Sequence, residues 1–258
     1  MIIVEVPMIN GLGKTKGCED APCMITTSLS KNRKNFQIVE LNLSKKNLEE
    51  SQRIIFKEAM DIIKKNKDNN EKILFLGGDH SISYPLVNAF NQVHPLPFLI
   101  VFDAHVDLME PMKEPTHEEW LRAIIEKGFD SKNILLIGGQ KIYDEEKDFL
   151  KKSKIRLVNK KEVDEMISNP QKLNFLNEYG AIYLSIDIDV LDSSFFSATG
   201  YPEKGGLSKE QFEKLLRAIF LFKNVKALDL VEINPDKDLN NKNVKLISEV
   251  LSNIFQDY

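Results

Sequence analysis

The sequence predicts an α/β protein built around a mainly parallel sheet. Short apolar runs alternate with longer amphipathic segments along all 258 residues. Several of these runs are almost purely apolar, as expected for strands that are covered on both faces. Alternation of strands and helices implies right-handed crossovers, which set the strands parallel to one another. Because no repeat or linker-like composition divides the chain, we expect a single domain over residues 1–258.

Apolar runs at eight places are predicted as strands. They are Ile2–Val6, Phe36–Leu41, Ile73–Leu76, Phe98–Phe102, Ile134–Ile137, Ile155–Val158, Ile182–Ile188 and Lys226–Ile233. Such a set fits either an open doubly wound sheet or a (β/α)8 barrel, and periodicity does not separate the two. Both architectures place ligands at the carboxyl ends of the strands, so that edge is where functional residues are expected.

Amphipathic segments between the runs are predicted as helices. They are Leu48–Lys65, Pro85–Gln92, Glu118–Lys127, Glu145–Lys152, Lys161–Asn177, Lys209–Leu221 and Lys242–Ile254. Pro170 is expected to break or kink the fifth of them, because proline cannot donate a helical hydrogen bond.

Composition and charge exclude several classes of protein. With 35 basic and 39 acidic side chains the formal net charge is -4, which argues against coating nucleic acid or an anionic membrane. No apolar run approaches the ~18 residues of a membrane span, and the start, MIIVEVPMING, lacks the basic leader of a secretory signal. The two cysteines, Cys18 and Cys23, cannot form a disulfide framework and are expected to be buried free thiols. We therefore expect a soluble cytoplasmic protein.

Three motifs rich in acidic residues and histidine follow predicted strands. They are GGDHS at 77–81, DAHVD at 103–107 and SIDIDVLD at 185–192. In an extended segment, residues two apart share a face. Asp103, His105 and Asp107 are therefore expected to point one way, as are Asp187 and Asp189.

Several carboxylates meeting at partly desolvated strand ends would repel one another, and no basic residue adjoins the three motifs. Bound divalent cations would neutralise them. Carboxylates with only two imidazoles favour a hard or borderline ion such as Mn²⁺, and six candidate ligands, His80 among them, suit two ions. A lone aspartate such as Asp79 or Asp192 is at least as readily a helix cap or turn residue. His94 is predicted to be a loop histidine without a chemical role.

Two further residues have both a structural and a functional interpretation. Thr116 and Glu119 have the spacing of a capping box, which would place His117 in the first helical turn, where the helix dipole lowers an imidazole pKa. His117 could then be a general acid or base, or simply a surface residue. Glu232 closes the last predicted strand and could form a salt bridge, or bind a planar guanidinium through two hydrogen bonds.

Taken together with TGYPEKGGL at 199–207, DLVEINPDKD at 229–238 and GCEDAP at 17–22, these motifs resemble the ureohydrolase family of arginases and agmatinases. The resemblance covers nearly the full chain, in the family's order and spacing. It implies a three-layer α/β/α sandwich with an eight-stranded parallel sheet, not a barrel. It also implies two Mn²⁺ ions, the first held by His80, Asp103, Asp107 and Asp187, and the second by Asp103, His105, Asp187 and Asp189.

The activity implied by this resemblance is hydrolysis of a small cationic guanidino substrate to urea and an amine. By the same resemblance, Asp107 orients the attacking water, His117 takes part in proton transfer and contacts the substrate, and Glu232 pairs with the guanidinium. Family members are usually homotrimers or homohexamers, and we expect one of these assemblies here. We expect no nucleic-acid or membrane partner.

The sequence departs from the family pattern at positions that bear on the substrate. Tyr201, Gln140 and Ser193 replace the small hydroxyl residue, arginine and proline that are common there. The loop 108–116, LMEPMKEPT, is short and acidic and offers few donors for a substrate carboxylate, which favours agmatine. The GCEDAP segment weakly favours arginase. Guanidinobutyrate, formiminoglutamate and an inactive metal-binding scaffold remain alternatives.

Overall fold

The predicted strands join one sheet. The computed structural model describes residues 1–32, 36–43, 47–69 and 71–256. The strands are β1 (Ile2–Val6), β2 (Gln37–Glu40), β3 (Ile73–Gly77), β4 (Phe98–Asp103), β5 (Ile134–Gly138), β6 (Arg156–Val158), β7 (Ile182–Asp187) and β8 (Val225–Val231). They lie in the order β2-β1-β3-β8-β7-β4-β5-β6, and every neighbouring pair is parallel. The predicted eight-stranded parallel sheet is confirmed, and it is open rather than a barrel.

Helices connect these strands. They are α1 (Ala21–Asn32), α2 (Leu48–Asn66), α3 (Ser83–Val93), α4 (Trp120–Glu126), α5 (Asp144–Lys152), α6 (Lys160–Ser168), α7 (Lys209–Phe220) and α8 (Lys242–Gln256). The seven predicted helices correspond to α2 through α8. The break at Pro170 is also confirmed, because α6 ends at Ser168 and a 3-10 segment, Pro170–Glu178, follows it.

Helix α1 was not predicted from the sequence. Its buried apolar stripe consists of Ala21, Ile25 and Leu29, each at most 1% exposed and spaced four residues apart. Thr26, Thr27 and Ser28 interrupt this narrow stripe with hydroxyl groups, which weaken a helical pattern in the sequence. Packing against α8 and the sheet therefore stabilises a helix that local propensity does not indicate.

Apolar side chains project from both faces of the sheet, as expected because successive side chains of a strand point to opposite faces. On one face, Ile3, Leu74 and the other strand side chains on that side pack with residues of α1, α6, α7 and α8. On the other face Val4, Phe75 and their equivalents pack with residues of α2, α3 and α4. The three-layer α/β/α sandwich is thus confirmed. Within the described ranges, no helix is both long enough and apolar enough to cross a membrane.

The order of the strands determines where the polar motifs meet. The centre of the sheet is β3-β8-β7-β4, four neighbours whose carboxyl ends lie along one edge. His80 follows β3 and Glu232 follows β8, while Asp187 and Asp103 are the last residues of β7 and β4. Segments that are far apart in the chain therefore converge at the edge where open α/β sheets bind ligands.

Candidate active site

His80 anchors one side of the site through a chain of hydrogen bonds. Its Nε2 lies 2.9 Å from the hydroxyl of Ser185, which donates to Asp229 at 2.8 Å. Asp229 also accepts hydrogen bonds from Ser83 and Tyr183, both at 2.9 Å. Because the Ser185 proton is committed to Asp229, Ser185 accepts from His80, so the Nε2 of His80 carries a proton. In the neutral imidazole Nδ1 then carries a lone pair.

The Nδ1 atom of His80 faces three carboxylates. It lies 3.1 Å from Asp103, 3.1 Å from Asp107 and 3.4 Å from Asp187. Although buried, it makes no hydrogen bond of good geometry with any described residue. A lone pair and three acceptor groups close to one point are the donor set of a candidate metal site.

A second group of ligand atoms surrounds His105. Its Nδ1 lies 2.8 Å from Asp189 and 3.6 Å from Asp103. In each group, His80–Asp103–Asp107 and Asp103–His105–Asp189, the candidate ligand atoms lie within 4.8 Å of one another. Asp103 directs one carboxylate oxygen at each histidine, so it connects the two groups. Asp187 lies beside the first group and accepts a hydrogen bond from the backbone N–H of Asp189 at 2.8 Å.

These buried carboxylates cannot all be ionised without a compensating cation. Burial, followed by the charge of Asp103, raises the pKa of Asp107 to about 8. Burial and neighbouring carboxylates likewise raise the pKa of Asp187 and of Asp189. Burial opposes protonation of His80 and His105, but the surrounding carboxylates outweigh it and raise both pKa values. In each case the site favours the species that carries added positive charge, which is the electrostatic condition for binding cations.

Asp107 and Glu232 both have left-handed backbones, with φ of 48° and 65°. The backbone N–H of Glu232 donates to Gly78 at 2.8 Å, and its side chain accepts from the N–H of His80 at 3.0 Å. Asp107 accepts a hydrogen bond from the indole of Trp120 at 2.7 Å. Both carboxylates are therefore held in place by specific partners. Burial, followed by the charge of Asp79, raises the pKa of Glu232 well above its usual range.

His117 lies in the turn before α4 rather than in a helical turn. The side chain of Glu119 accepts from the backbone N–H of Thr116 at 3.0 Å, as the capping box predicts, but the helix begins only at Trp120. The predicted position of His117 in the first helical turn is therefore wrong. Burial, followed by the positive charges of His80 and His105, lowers its pKa to about 4.

A cavity of about 340 Å³ opens above these residues. Beyond the ligand groups its lining consists of Met109, His117, Glu118, Tyr143, Glu145, Glu146, Tyr201 and Glu232. No lysine or arginine occurs among the described lining residues. The cavity lining is therefore rich in carboxylates and, among the described residues, has no lysine or arginine to pair with a substrate carboxylate.

The family model of the arginase family matches residues 1–256. The chain belongs to the arginase family. It is 30% identical over 212 residues to an arginase of Staphylococcus aureus (strain MRSA252), covering 72% of this chain and 70% of that protein. It is also 30% identical over 191 residues to N(1)-aminopropylagmatine ureohydrolase of Thermus thermophilus, covering 73% of this chain and 62% of that protein.

The structure of formimidoylglutamase from Bacillus subtilis has the same fold as this arginase-family chain. The TM-score is 0.86 at 20% identity, over 99% of this chain and 85% of that one. The match spans only 46% and 63% of the length of two further curated relatives. At this level of identity the likeness is one of fold.

Several residues singled out in the sequence lie away from the ligand groups of this arginase-family site. Asp79 accepts from Ser81 and Asp192 accepts from Ser194, so both are cap or turn residues. His94 packs against Phe90, with ring centroids 4.6 Å apart. Gln140 is exposed and lies outside the described cavity lining, and the N–H of Ser193 bonds to a loop carbonyl, that of Glu203.

Of the two cysteines, Cys18 is buried, 4.0 Å from a Glu232 oxygen. Cys23 is exposed, so the expectation that both thiols are buried is wrong for Cys23. It lies on α1, the helix that the sequence did not indicate, and points away from the stripe formed by Ala21, Ile25 and Leu29.

Several residues around the site were not identified from the sequence, among them Ser185, Asp229, Trp120 and Asn10. Ser185 and Asp229 are polar positions inside apolar strands, a signal that could have identified them, since buried polar groups require partners. Trp120 and Asn10 act through tertiary contacts, with Asp107 and His117 respectively, and no local pattern marks them.

Proposed function

We propose that this protein is an agmatinase, which hydrolyses agmatine to putrescine and urea with two bound Mn²⁺ ions. The observation that carries the proposal is the composition of the cavity. Glu232 lies beside the ligand groups, Glu118 and Glu145 line the cavity, and neither lysine nor arginine is among the described lining residues. Agmatine has a positive charge at each end, whereas arginine carries a carboxylate that this lining does not match.

Six residues would hold the two ions: His80, Asp103, His105, Asp107, Asp187 and Asp189. The unpartnered Nδ1 of His80 and the oxygens of Asp103 directed at both histidines support this assignment. Carboxylates with two imidazoles and no thiolate suit Mn²⁺ better than a structural zinc ion. When bound, a pair of divalent ions lowers the pKa of water and so supplies a nucleophile near neutral pH.

The residues of the chain would bind the substrate and manage its protons. A guanidinium stays protonated up to pH ~12 or above, so it approaches as a cation. Glu232, held by the N–H of His80, would accept hydrogen bonds from that cation and fix the guanidinium carbon above the ligand groups. Asp107, whose carboxylate is held by the indole N–H of Trp120, would orient the attacking water and take up its proton for the departing amine. His117 would contact the substrate and assist this proton transfer.

A panel of substrates tests the proposal. Agmatine, arginine, guanidinobutyrate and formiminoglutamate are each supplied with Mn²⁺, and release of urea, or of formamide from the formimino compound, is measured. We expect the highest kcat/KM with agmatine. Preference for arginine or formiminoglutamate would reassign the substrate. Metal binding without turnover of any of the four would mean that the protein is an inactive scaffold.

The ligand assignment is tested separately with Asp187→Ala. We expect loss of both Mn²⁺ binding, measured by electron paramagnetic resonance, and activity, because one carboxylate is removed from beside His80. Asp192→Ala is the matched control, since its exposed carboxylate only accepts loop hydrogen bonds from Ser194 and Gly205. A fully active Asp187→Ala variant would contradict the two-ion assignment.

Trimeric or hexameric assembly and a cytoplasmic location stay predictions, supported by membership of the family and by the composition of the chain.

A further inference from the structure

A loop after β1 covers the side of the cavity where His117 lies. The backbone N–H of Asn10 donates to Asp79 at 2.7 Å, and the N–H of Lys14 donates to the Tyr201 hydroxyl at 3.2 Å. At Gly13, where φ is 60°, an added Cβ would lie 2.0 Å from that hydroxyl oxygen and 3.6 Å from His117. The loop is therefore packed closely against both His117 and Tyr201.

The amide of Asn10 has a defined orientation in this loop. Its Oδ1 accepts a hydrogen bond from the backbone N–H of Leu12 at 2.7 Å. Because a backbone N–H can only donate, the oxygen of the amide must face Leu12. The amide nitrogen of Asn10 then faces Nδ1 of His117 at 2.6 Å.

This orientation decides which nitrogen of His117 carries the proton. An amide NH₂ group donates and does not accept, so Nδ1 of His117 must accept and stay unprotonated. In the neutral imidazole the single proton therefore lies on Nε2. That nitrogen is buried, has no hydrogen-bond partner among the described residues, and belongs to a side chain that lines the cavity.

We propose that Asn10 is a positioning residue that fixes His117 as the neutral tautomer with its proton on Nε2, directed at the substrate. Adding a second proton, on Nδ1, would bring two donors face to face. Turning the Asn10 amide over would relieve this clash only at the cost of the bond to Leu12. Asn10 thus disfavours the imidazolium form as well as the other tautomer.

The tautomer has a consequence for the proposed hydrolysis. The nitrogens of a guanidinium delocalise their lone pairs and are poor acceptors. Once the central carbon becomes tetrahedral, these nitrogens hold localised lone pairs, and an N–H donor can bind one of them. A donor at Nε2 would therefore stabilise the transition state more than the bound substrate, which raises kcat rather than lowering KM.

Other groups around His117 act on its charge, and the carboxylate of Glu118 also favours a proton on Nε2, the nitrogen that it lies near. Glu118 lies 3.8 Å from Nε2 and the Tyr201 ring lies 5.6 Å away. The charges of His80 and His105 disfavour the imidazolium, and that of Asp103 favours it. Among the described contacts, only that of Asn10 is made at Nδ1.

The test replaces the Asn10 amide, which donates to Nδ1 of His117, with a group that accepts. Asn10→Asp keeps the size of the side chain and an oxygen for the N–H of Leu12, but presents a carboxylate to His117. Asn10→Leu has similar size with neither donor nor acceptor. Long-range ¹H–¹⁵N NMR spectra of histidine-labelled protein with Mg²⁺ report the protonated nitrogen, and the His117 signals are assigned from a His117→Ala variant. The pH dependence of kcat with agmatine and Mn²⁺ is measured in parallel.

We expect the proton on Nε2 in the wild type and, at alkaline pH, on Nδ1 in Asn10→Asp. The carboxylate should also raise the His117 pKa by about 1 to 3 units. Above that pKa, Asn10→Asp loses the Nε2 proton, so its kcat should fall by on the order of 10²-fold while KM changes little. The wild type should show no such alkaline loss.

A proton on Nδ1 in the wild type would overturn the proposal. So would an Asn10→Leu variant that reproduces the NMR and pH changes of Asn10→Asp, because the effect would then come from packing of the loop. The kinetic measurement rests on the proposed function, whereas the NMR measurement needs no substrate. If agmatine is not turned over but the tautomer changes as expected, only the proposed function fails.

Discussion

Asp107 and Glu232 show how local backbone geometry builds the site. A left-handed conformation costs a non-glycine residue about 1–3 kcal/mol, and the surrounding contacts must impose it. Trp120 holds the side chain of Asp107, while Gly78 and His80 hold Glu232. We expected Asp103, His105 and Asp107 to lie on one face of an extended segment. This expectation is wrong, because β4 ends at Asp103 and the following residues are not part of a strand. Their side chains nevertheless converge.

Substituting Trp120 tests the support given to Asp107. Trp120→Phe keeps a buried ring but removes the indole N–H that donates to the carboxylate. Residues that orient metal ligands typically contribute 10- to 100-fold to affinity, so we expect Mn²⁺ to bind about tenfold more weakly. Electron paramagnetic resonance titration measures this. Phe129→Leu, a truncation in the same apolar cluster, serves as the control for packing alone. If Trp120→Phe and the wild type bound Mn²⁺ with equal affinity, Trp120 would not support Asp107 in metal binding.

The carboxylates that line the cavity should discriminate between substrates by charge. Glu118→Gln and Glu145→Gln each remove one negative charge from the lining. Partly exposed ion pairs contribute about 0.2–1 kcal/mol, so KM for agmatine should rise by roughly two- to fivefold in each variant. KM for guanidinobutyrate, which carries a carboxylate at that end, should stay constant or fall. Glu126→Gln, outside the described lining, is the control, and equal effects on both substrates would contradict the assignment.

At the scale of elements, the strands could be predicted because their sequences combine a long apolar run with a polar end. Ile73–Gly77 and Phe98–Asp103 are buried along their whole length, so nearly every residue had to be apolar. Helix α1 could not be predicted, because only Ala21, Ile25 and Leu29 mark its apolar stripe and several of its other residues, such as Thr26 and Thr27, are poor helix formers. The candidate ligands were predictable from their positions after strands. Asn10 and Trp120 were not, because each acts on a residue more than ten positions away.

Tertiary packing rather than propensity should therefore stabilise α1. Leu29→Ala removes a side chain that is 1% exposed and packs in the core cluster shared with α8. Truncations of this kind cost about 2–5 kcal/mol, depending on how far the cavity collapses. Urea unfolding followed by circular dichroism measures the loss. Thr27→Ala, on the exposed face of the same helix, should change the free energy of unfolding by less than about 0.5 kcal/mol. Equal effects of the two variants would contradict this packing.

At the scale of the whole molecule, a group of buried acidic residues lies at one edge of the sheet. The formal net charge of -4 includes Asp103, Asp107, Asp187, Asp189 and Glu232, all buried. Burial raises the pKa of Asp107, Asp187, Asp189 and Glu232 in the folded protein. An acid whose folded pKa is raised stabilises the fold below its unfolded pKa, and this contribution is lost as pH rises through the folded value.

Removal of metal should therefore destabilise the protein increasingly as pH rises. Without ions, the fold loses stability as pH rises from about 4 towards and beyond 8, because the unfolded state releases protons more readily from these carboxyl groups. Metal binding displaces the same protons, so affinity rises with pH. The difference in Tm between Mn²⁺-loaded and chelated protein should grow between about pH 5 and pH 8. A difference that stays constant or shrinks would contradict the buried carboxylate cluster as the binding site.

The position of Trp120 makes its fluorescence a probe of the site. It is the single tryptophan of the chain, it donates to Asp107, and its ring centroid lies 4.6 Å from that of His80. Its fluorescence therefore originates beside the candidate ligands, where a paramagnetic ion such as Mn²⁺ quenches emission at short range. The protein thus contains its own optical sensor of site occupancy, so binding and exchange of ions can be followed in real time without a label or a substrate.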